Sequence, residues 1–217
     1  MEEYSKKENI IIESYDDVDL EDSVLKDIVD IHMQTFTGFF LTFLGRGFLK
    51  YLYKGFIEHS KSGVIVAKEN DRILGFLAFS EDLSDFYKNL IKTSLLPFAW
   101  YGFLGVLRKP KIFFRLVRSF LKPSESKREE KYIELSSIGV LPVAKHRHIG
   151  SIMITELKNR FNTSNNEYIK LETDAINNEA ANRFYIYNGF KLNQEFVTHE
   201  GRVMNEYRWY PIKKDNN

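Results

Sequence analysis

The sequence predicts an α/β protein built on a mixed, partly parallel central sheet flanked by helices. Three patterns carry that expectation. The last third of the 217-residue chain alternates apolar extended runs with helical periodicities, as βαβ units with right-handed crossovers do. Two extended runs around residues 63–79 are joined by a short polar turn, which adds an antiparallel hairpin. Ahead of them, a β-branched run precedes two apolar helical stripes.

Residues 9–14 supply the first strand. Asp19, Glu21 and Asp22 then place acidic charge ahead of Val24, Leu25, Ile28, Val29, Ile31 and His32, the order expected at a helix start. Phe36-Thr-Gly-Phe-Phe40 interrupts this stripe, and Leu41, Leu44, Phe48, Leu52 and Phe56 resume it to about His59. Two helices therefore meet at an aromatic, glycine-containing turn. The hairpin follows, with Glu69-Asn-Asp-Arg72 as its turn.

Residues 83–122 are rich in aromatics and leucines and are broken by Pro97, Gly102, Gly105 and Pro110. Their second half carries Arg108, Lys109, Lys111, Arg115, Arg118 and Lys122, and the polar stretch 123–130 reads as a loop. Tyr132 to Val140 is then a strand, Ser151 to Phe161 a helix, Tyr168 to Thr173 a strand and Asn178 to Tyr187 a helix. Phe190 to Val197 and Val203 to Trp209 close the chain as two strands around Glu200-Gly201.

At 43% hydrophobic residues the chain has ample material for a core, and it reads as one domain over 1–217 with 83–130 as a helical insertion before the fourth strand. Thirty-one basic and 30 acidic residues leave a formal charge of +1. No global field draws nucleic acid, so an anion site must be local. The absence of cysteine excludes disulfides, thiolate zinc sites and a cysteine nucleophile. Together with a charged amino terminus that lacks an apolar leader core, this points to the cytoplasm. Residues 95–107 are apolar but fall short of the ~20 residues a spanning helix needs, and Pro97 interrupts them. With the basic residues that follow, this segment suits an amphipathic helical pair on the core, and alternatively a membrane-surface element, a homodimer surface or a lid over an anionic acceptor.

The chemistry concentrates in Gly139-Val-Leu-Pro-Val-Ala-Lys-His-Arg-His-Ile-Gly-Ser151. A strand stops at Pro142 and four basic or imidazole residues precede a helix that starts at Gly150-Ser151. Free amides and the positive dipole end of such a start hold anions, and Lys145, His146, Arg147 and His148 add side-chain charge. A phosphate or pyrophosphate suits the place; a solvated basic loop is the plainer alternative. His146 and His148 have no third ligand nearby and no His-Glu-x-x-His spacing, so no metal is expected.

One strand further on lies Asn178-Glu-Ala-Ala181-Asn-Arg-Phe184-Tyr185-Ile-Tyr-Asn-Gly189-Phe190. The two stretches together resemble the acetyl-CoA-dependent GNAT acyltransferase superfamily. Its pyrophosphate loop, Val-x-Pro-x-x-Arg-x-x-Gly-x-Gly/Ala, is matched at Val140, Pro142 and Gly150. Its second pattern is matched at Asn178, Ala181, Phe184, Tyr185, Gly189 and Phe190. Lys145 replaces the usual arginine, and His148 stands where the family has a glycine. A positive φ at His148 would cost on the order of 1 kcal/mol.

The resemblance implies a GNAT-like fold and transfer of an acetyl group from acetyl-CoA to an amine by direct attack. It implies that backbone groups of Ile138, Gly139 and Val140 pair with the pantetheine arm. Amides and side chains of Lys145, His146, Arg147, His148, Ile149, Gly150 and Ser151 would hold the pyrophosphate, and Asn178 would orient the arm or simply cap the helix. Tyr185 corresponds to the tyrosine that protonates the coenzyme thiolate in many relatives; without the motif it reads as a packing aromatic. Glu134 stands where several relatives carry a general base, and otherwise as a solvent-facing or ion-paired strand residue. Phe36, Phe39 and Phe40 would face the acceptor. The expected acceptor is a small-molecule amine, loosely an amino sugar or sugar nucleotide. The alternatives are a protein amine, or a non-catalytic module for CoA or a membrane surface.

Overall fold

A computed structural model describes residues 10–17, 21–108, 130–198 and 201–211. In chain order the elements are β1 (Ile10–Tyr15), α1 (Asp22–Thr35), α2 (Phe40–Glu58), β2 (Ser62–Glu69), β3 (Arg72–Ser80), α3 (Leu83–Arg108), β4 (Tyr132–Val140), a single 3-10 turn (Pro142–Ala144), α4 (Ile149–Phe161), β5 (Tyr168–Asp174), α5 (Glu179–Tyr187), β6 (Lys191–Val197) and β7 (Val203–Trp209). The strands form one seven-stranded sheet in the order β1-β2-β3-β4-β5-β7-β6. Among the described strands β4 and β5 are the one parallel pair, because β7 docks antiparallel on β5 and β6 folds back on β7. The sheet is thus mixed and partly parallel, as the sequence predicts, with its parallel crossover from β4 to β5.

Helices cover both faces for reasons legible residue by residue. α1 buries Leu25, Ile28, Val29 and Ile31, a stripe at helical spacing. β2 and β3 are almost wholly buried, so their near-continuous apolar runs serve both faces. Phe76 of β3 packs edge-on against Tyr53 of α2 at 5.0 Å, whereas a Cβ on the preceding Gly75 would touch Met153 and Ile149 of α4. Successive strand residues point to opposite faces, so α1 and α2 lie on one side and α4 on the other. Phe76 also meets Phe36 at 6.5 Å, which ties the aromatic turn after α1 to the core.

α2 is bent at Gly45, whose φ of 86° leaves the helical region. α3 is two helical pieces joined across a kink, which lies beside the first of the breaks expected from sequence, at Pro97. Gly102 and Gly105 lie inside the second piece, and the irregular point is Ser94, three residues before Pro97, which lacks the N–H that the helix ladder needs. Residues 109–129, with Lys109, Lys111, Arg115, Arg118 and Lys122, lie outside the described residues. No helix among the described residues is long and apolar enough to cross a membrane. The register between β3 and β4 slips so that Ser137 opposes Ala78 and Leu135 opposes Phe79, leaving Ser136 as an extra residue. Such bulges re-aim side chains, and this one adjoins the site described next.

Phe76 is fully buried between the helices and the bulged strand. Phe76→Ala should destabilise the fold by about 3–5 kcal/mol in denaturant unfolding; a loss below about 1 kcal/mol would contradict this packing.

Candidate active site

β4 and β5 pair at three rungs, Tyr132 with Tyr168, Ile133 with Ile169 and Glu134 with Lys170, and then part. β5 runs on beside β7 to Asp174, and β4 runs on beside β3 to Val140. From Leu135 onward the edge of β4 that faces β5 therefore presents unpaired backbone groups to a gap. The fork is marked by the Ser136 bulge, whose hydroxyl is buried without a partner.

Beyond Val140 the chain enters the cradle anticipated from sequence. His148 takes φ 57°, ψ 13°, the left-handed conformation, directly before α4, and His146 has φ 65°. The amides of His146, His148, Ile149, Gly150 and Ser151 make no hydrogen bond among the described residues. Five free donors at one helix start fit a pyrophosphate. Gly150 cannot carry a side chain here, because a Cβ would stand 2.9 Å from Cζ of Phe184 on α5. Lys145, His146 and His148 are exposed. Arg147 turns away to donate two hydrogen bonds to Glu69 at the end of β2, the shorter at 2.5 Å, and ties the loop to the hairpin. Its expected place in the anion site is thus replaced by a structural ion pair.

Glu134 is buried at the apex of the fork. Its Oε2 lies 3.1 Å from Nζ of Lys170 but without hydrogen-bonding geometry, and Lys170 makes its shorter contact, 2.7 Å, to Glu172. Burial pushes the Glu134 carboxyl up to about 7, against the pull of Lys170 and with help from Glu172 and Glu206. Burial alone would lower Lys170, but Glu134 and Glu172 outweigh it and hold the ammonium charged. Glu206, fully buried, is satisfied by Asn193 and Gln194 at 3.0 Å each and by Arg208 at 2.8 Å.

Tyr185 lies on the other face of the sheet. Its ring packs between Phe190 and Tyr207, at 6.1 and 6.0 Å, and Tyr207 opposes Leu171, one residue out of phase with Lys170. Burial pushes its phenol up to about 12, and the hydroxyl makes no hydrogen bond among the described residues. Asn178 occupies the cap position of α5 without capping it; its Nδ2 donates to Thr173 Oγ1 at 2.7 Å and fastens the helix to the end of β5.

On the Glu134 face, Phe36 lies tilted against His32, with ring centres 4.6 Å apart, and over Gly139, where a Cβ would come within 3.3 Å of it. Phe39 is 45% exposed at the rim, and the Phe40 side chain lies outside the described residues. His32 is buried with Nδ1 2.6 Å from the Tyr53 hydroxyl, and its Nε2 has no partner. Burial pushes its imidazole down to about 4. Among the described residues no group of three or more His, Asp or Glu is placed to hold a metal. Sequence reasoning missed Lys170, Glu172 and Glu206, although charges at alternate positions of strands that end in aromatic residues were the available signal.

A family model described as the acetyltransferase (GNAT) family matches residues 25–190. The chain belongs to the GNAT acetyltransferase family. It is an N-acetyltransferase with the mixed sheet of that fold. Among solved structures, an N-acetyltransferase from Staphylococcus aureus Mu50 superposes over 93% of this chain and 98% of its own, with a TM-score of 0.58 at 16% identity. The ribosomal-protein-S18-alanine N-acetyltransferase of Escherichia coli covers 96% and 98%, with a TM-score of 0.55 at 13% identity. NAA60 of Arabidopsis thaliana, in complex with acetyl-CoA, covers 93% and 98%, with a TM-score of 0.55 at 13% identity. At these identities the similarity is one of fold. No curated protein sequence matches the chain.

Two measurements check the site of this GNAT acetyltransferase. A carboxyl raised from 4.5 to about 7 binds a proton in the folded state that the unfolded chain has released, so its contribution is complete below about pH 4.5 and is lost as the pH rises through about 7. Over that window unfolding free energy should fall by up to about 3 kcal/mol more in the parent than in Glu134→Gln; parallel pH profiles for the two proteins would contradict the assignment. His148→Gly relieves the left-handed backbone and should raise stability by about 1 kcal/mol, read as a higher unfolding midpoint.

Proposed function

We propose that this acetyltransferase moves an acetyl group from acetyl-CoA directly onto the amine of a small-molecule acceptor, with Glu134 as base and Tyr185 as acid. The observation that carries this reading is the fork, where β4 leaves β5 with Glu134 at its apex on one face and Tyr185 on the other. When bound, acetyl-CoA supplies the activated acetyl thioester. The free β4 edge from Ile138 to Val140 offers backbone groups to the pantetheine arm, and its amides face the oxygen on which charge develops. The cradle from Lys145 to Ser151 holds the pyrophosphate through its free amides.

The amine nitrogen forms its bond to the carbonyl carbon, the carbon–sulfur bond breaks, and the proton lost by nitrogen goes to Glu134. A carboxyl near 7 suits that transfer at neutral pH. Tyr185, whose phenol stays protonated at neutral pH, donates to the departing thiolate. The acceptor enters on the side of Phe36 and the exposed Phe39. The aromatic turn and the basic stretch 108–122 suit an amino sugar or sugar nucleotide as acceptor.

The test is release of the coenzyme thiol from acetyl-CoA with glucosamine, a nucleotide-linked amino sugar, simple alkylamines and a peptide with amino-terminal alanine. Turnover of small amines is expected, and turnover confined to the peptide would overturn the acceptor class. With a productive small amine, Glu134→Gln should lower kcat by about 10²–10⁴, and Tyr185→Phe should lower it without changing acetyl-CoA affinity. An effect of Glu134→Gln below about threefold would remove it from the role of base.

A further inference from the structure

A row of polar side chains crosses the sheet on the Glu134 face, where the packing calls for hydrocarbon. Ser62, the first residue of β2, and Ser80, the last of β3, are fully buried and oppose each other in the ladder, and Ser80 in turn opposes Glu134 of β4. Ser62 Oγ lies 2.8 Å from Ser80 Oγ and 2.8 Å from Nδ1 of His59. Nε2 of His59 lies 3.2 Å from Oδ2 of Asp85. The His59 side chain is 5% exposed and that of Asp85 58%, so the row runs from the fork to solvent. Alanine at positions 62 and 80 would fill similar space without burying a hydroxyl.

The hydrogen-bond inventory of the row is open at the end that meets the base. Ser80 Oγ accepts from the Ser62 hydroxyl and, at 3.2 Å, from the amide of Asp82, while its own proton has no acceptor among the described residues. Oε2 of Glu134 is buried and lacks a hydrogen-bond partner. Side chains directly opposed in an antiparallel ladder have Cβ atoms about 4.5–5.5 Å apart. No direct hydrogen bond joins the two side chains, and one bridging water spans such a separation.

We propose that Ser80, Ser62, His59 and Asp85 form the proton outlet of Glu134. The inference rests on Glu134 as the base of the reaction proposed above. After each turnover Glu134 holds the proton taken from the amine, and its charged neighbour Lys170 cannot accept it. The groups that face Glu134 are Lys170 and Glu172 from β5, Glu206 from β7 and Tyr87 from α3; Asp85 of α3 faces His59. In the loaded state the Glu134 hydroxyl points through that water at Ser80 Oγ, the Ser80 proton at Ser62 Oγ, and the Ser62 proton at His59 Nδ1.

The proton on Glu134 passes through the water to Ser80, that of Ser80 to Ser62 and that of Ser62 to Nδ1. Glu134 is then a carboxylate, both hydroxyls are restored with reversed direction, and His59 is an imidazolium beside the Asp85 carboxylate. The Nε2 proton leaves to Asp85 and bulk water, after which the neutral ring and the hydroxyls turn back. One proton has moved from Glu134 to solvent and nothing else has changed.

The test needs no acceptor. A laser pH jump on the full chain, followed by infrared spectroscopy, tracks the buried carboxyl band that Glu134→Gln abolishes. In Ser80→Ala and His59→Gln, the rate at which that band responds should fall at least tenfold with its final amplitude retained. Asp85→Asn, at the exposed end, provides a milder variant should either fail to fold. A purely structural row would lower the unfolding midpoint and leave the rate alone, and parental rates in the folded variants would overturn the outlet. If the parent shows no band that Glu134→Gln removes between pH 5 and 9, the outlet falls together with Glu134 as an internal base, which distinguishes that failure from the first.

Discussion

The rung at which Glu134 meets Lys170 governs the active half of the molecule. Lys170, taken out of water, has Glu134 of β4 at 3.1 Å and Glu172 of its own strand at 2.7 Å as counter-charges, which makes this rung a favourable place for the two strands to meet. The pair therefore pins β4 to β5 at that rung and at no later one among the described residues. β5 follows β7, β4 follows β3, and the extra residue Ser136 turns β4 away at the point of divergence. A gap between two adjacent strands, ordinarily a defect in a sheet, is here enforced from both sides. Its exposed amides and carbonyls become binding groups for that reason.

The alternation of side chains along a strand then distributes the chemistry. Residues in phase with Glu134 face α1 and α2, where Phe36, His32 and Tyr53 form an aromatic wall. Residues in phase with Leu171 face α5, where Tyr185 sits among aromatic rings. In the function proposed above, the groups assigned as base and acid lie on opposite faces of this one gap, one on a strand and one on a helix, elements that hold side chains more rigidly than loops do.

How much of this the sequence disclosed follows from the range of the interactions involved. The turn and helix start between Val140 and Ser151 were legible because their signals are local: a proline that ends a strand and small residues at the first turn of a helix. The left-handed His148 was legible too, since it stands where the motif has glycine. Arg147 looked like an anion ligand because its partner Glu69 lies 78 residues away, a separation that no local pattern encodes. The Lys170 and Glu206 cluster was hidden for the same reason, because the register between β4, β5 and β7 depends on crossovers. The break expected at Pro97 was legible, because a residue without an N–H disturbs the helix ladder locally, and it falls as a kink at Ser94; the helix runs on through Gly102 and Gly105, which cost a helix far less than proline does. The partly parallel sheet was legible as the strand–helix–strand unit from β4 to β5, whereas a run of alternating elements cannot show that β7 inserts between β5 and β6.

Burial tunes Glu134. A carboxyl in water titrates near 4.3 and trades protons with solvent freely, but it is a weak base for an ammonium. Desolvation raises its pKa to about 7. Lys170 cannot relieve it, being held by two carboxylates. In the role proposed for it Glu134 must return its proton to solvent, and the polar row at the strand ends offers one path. Two serines and a histidine at those ends carry a cost in polar burial that hydrocarbon would avoid, and a row joining Glu134 to Asp85 gives that cost a physical reason.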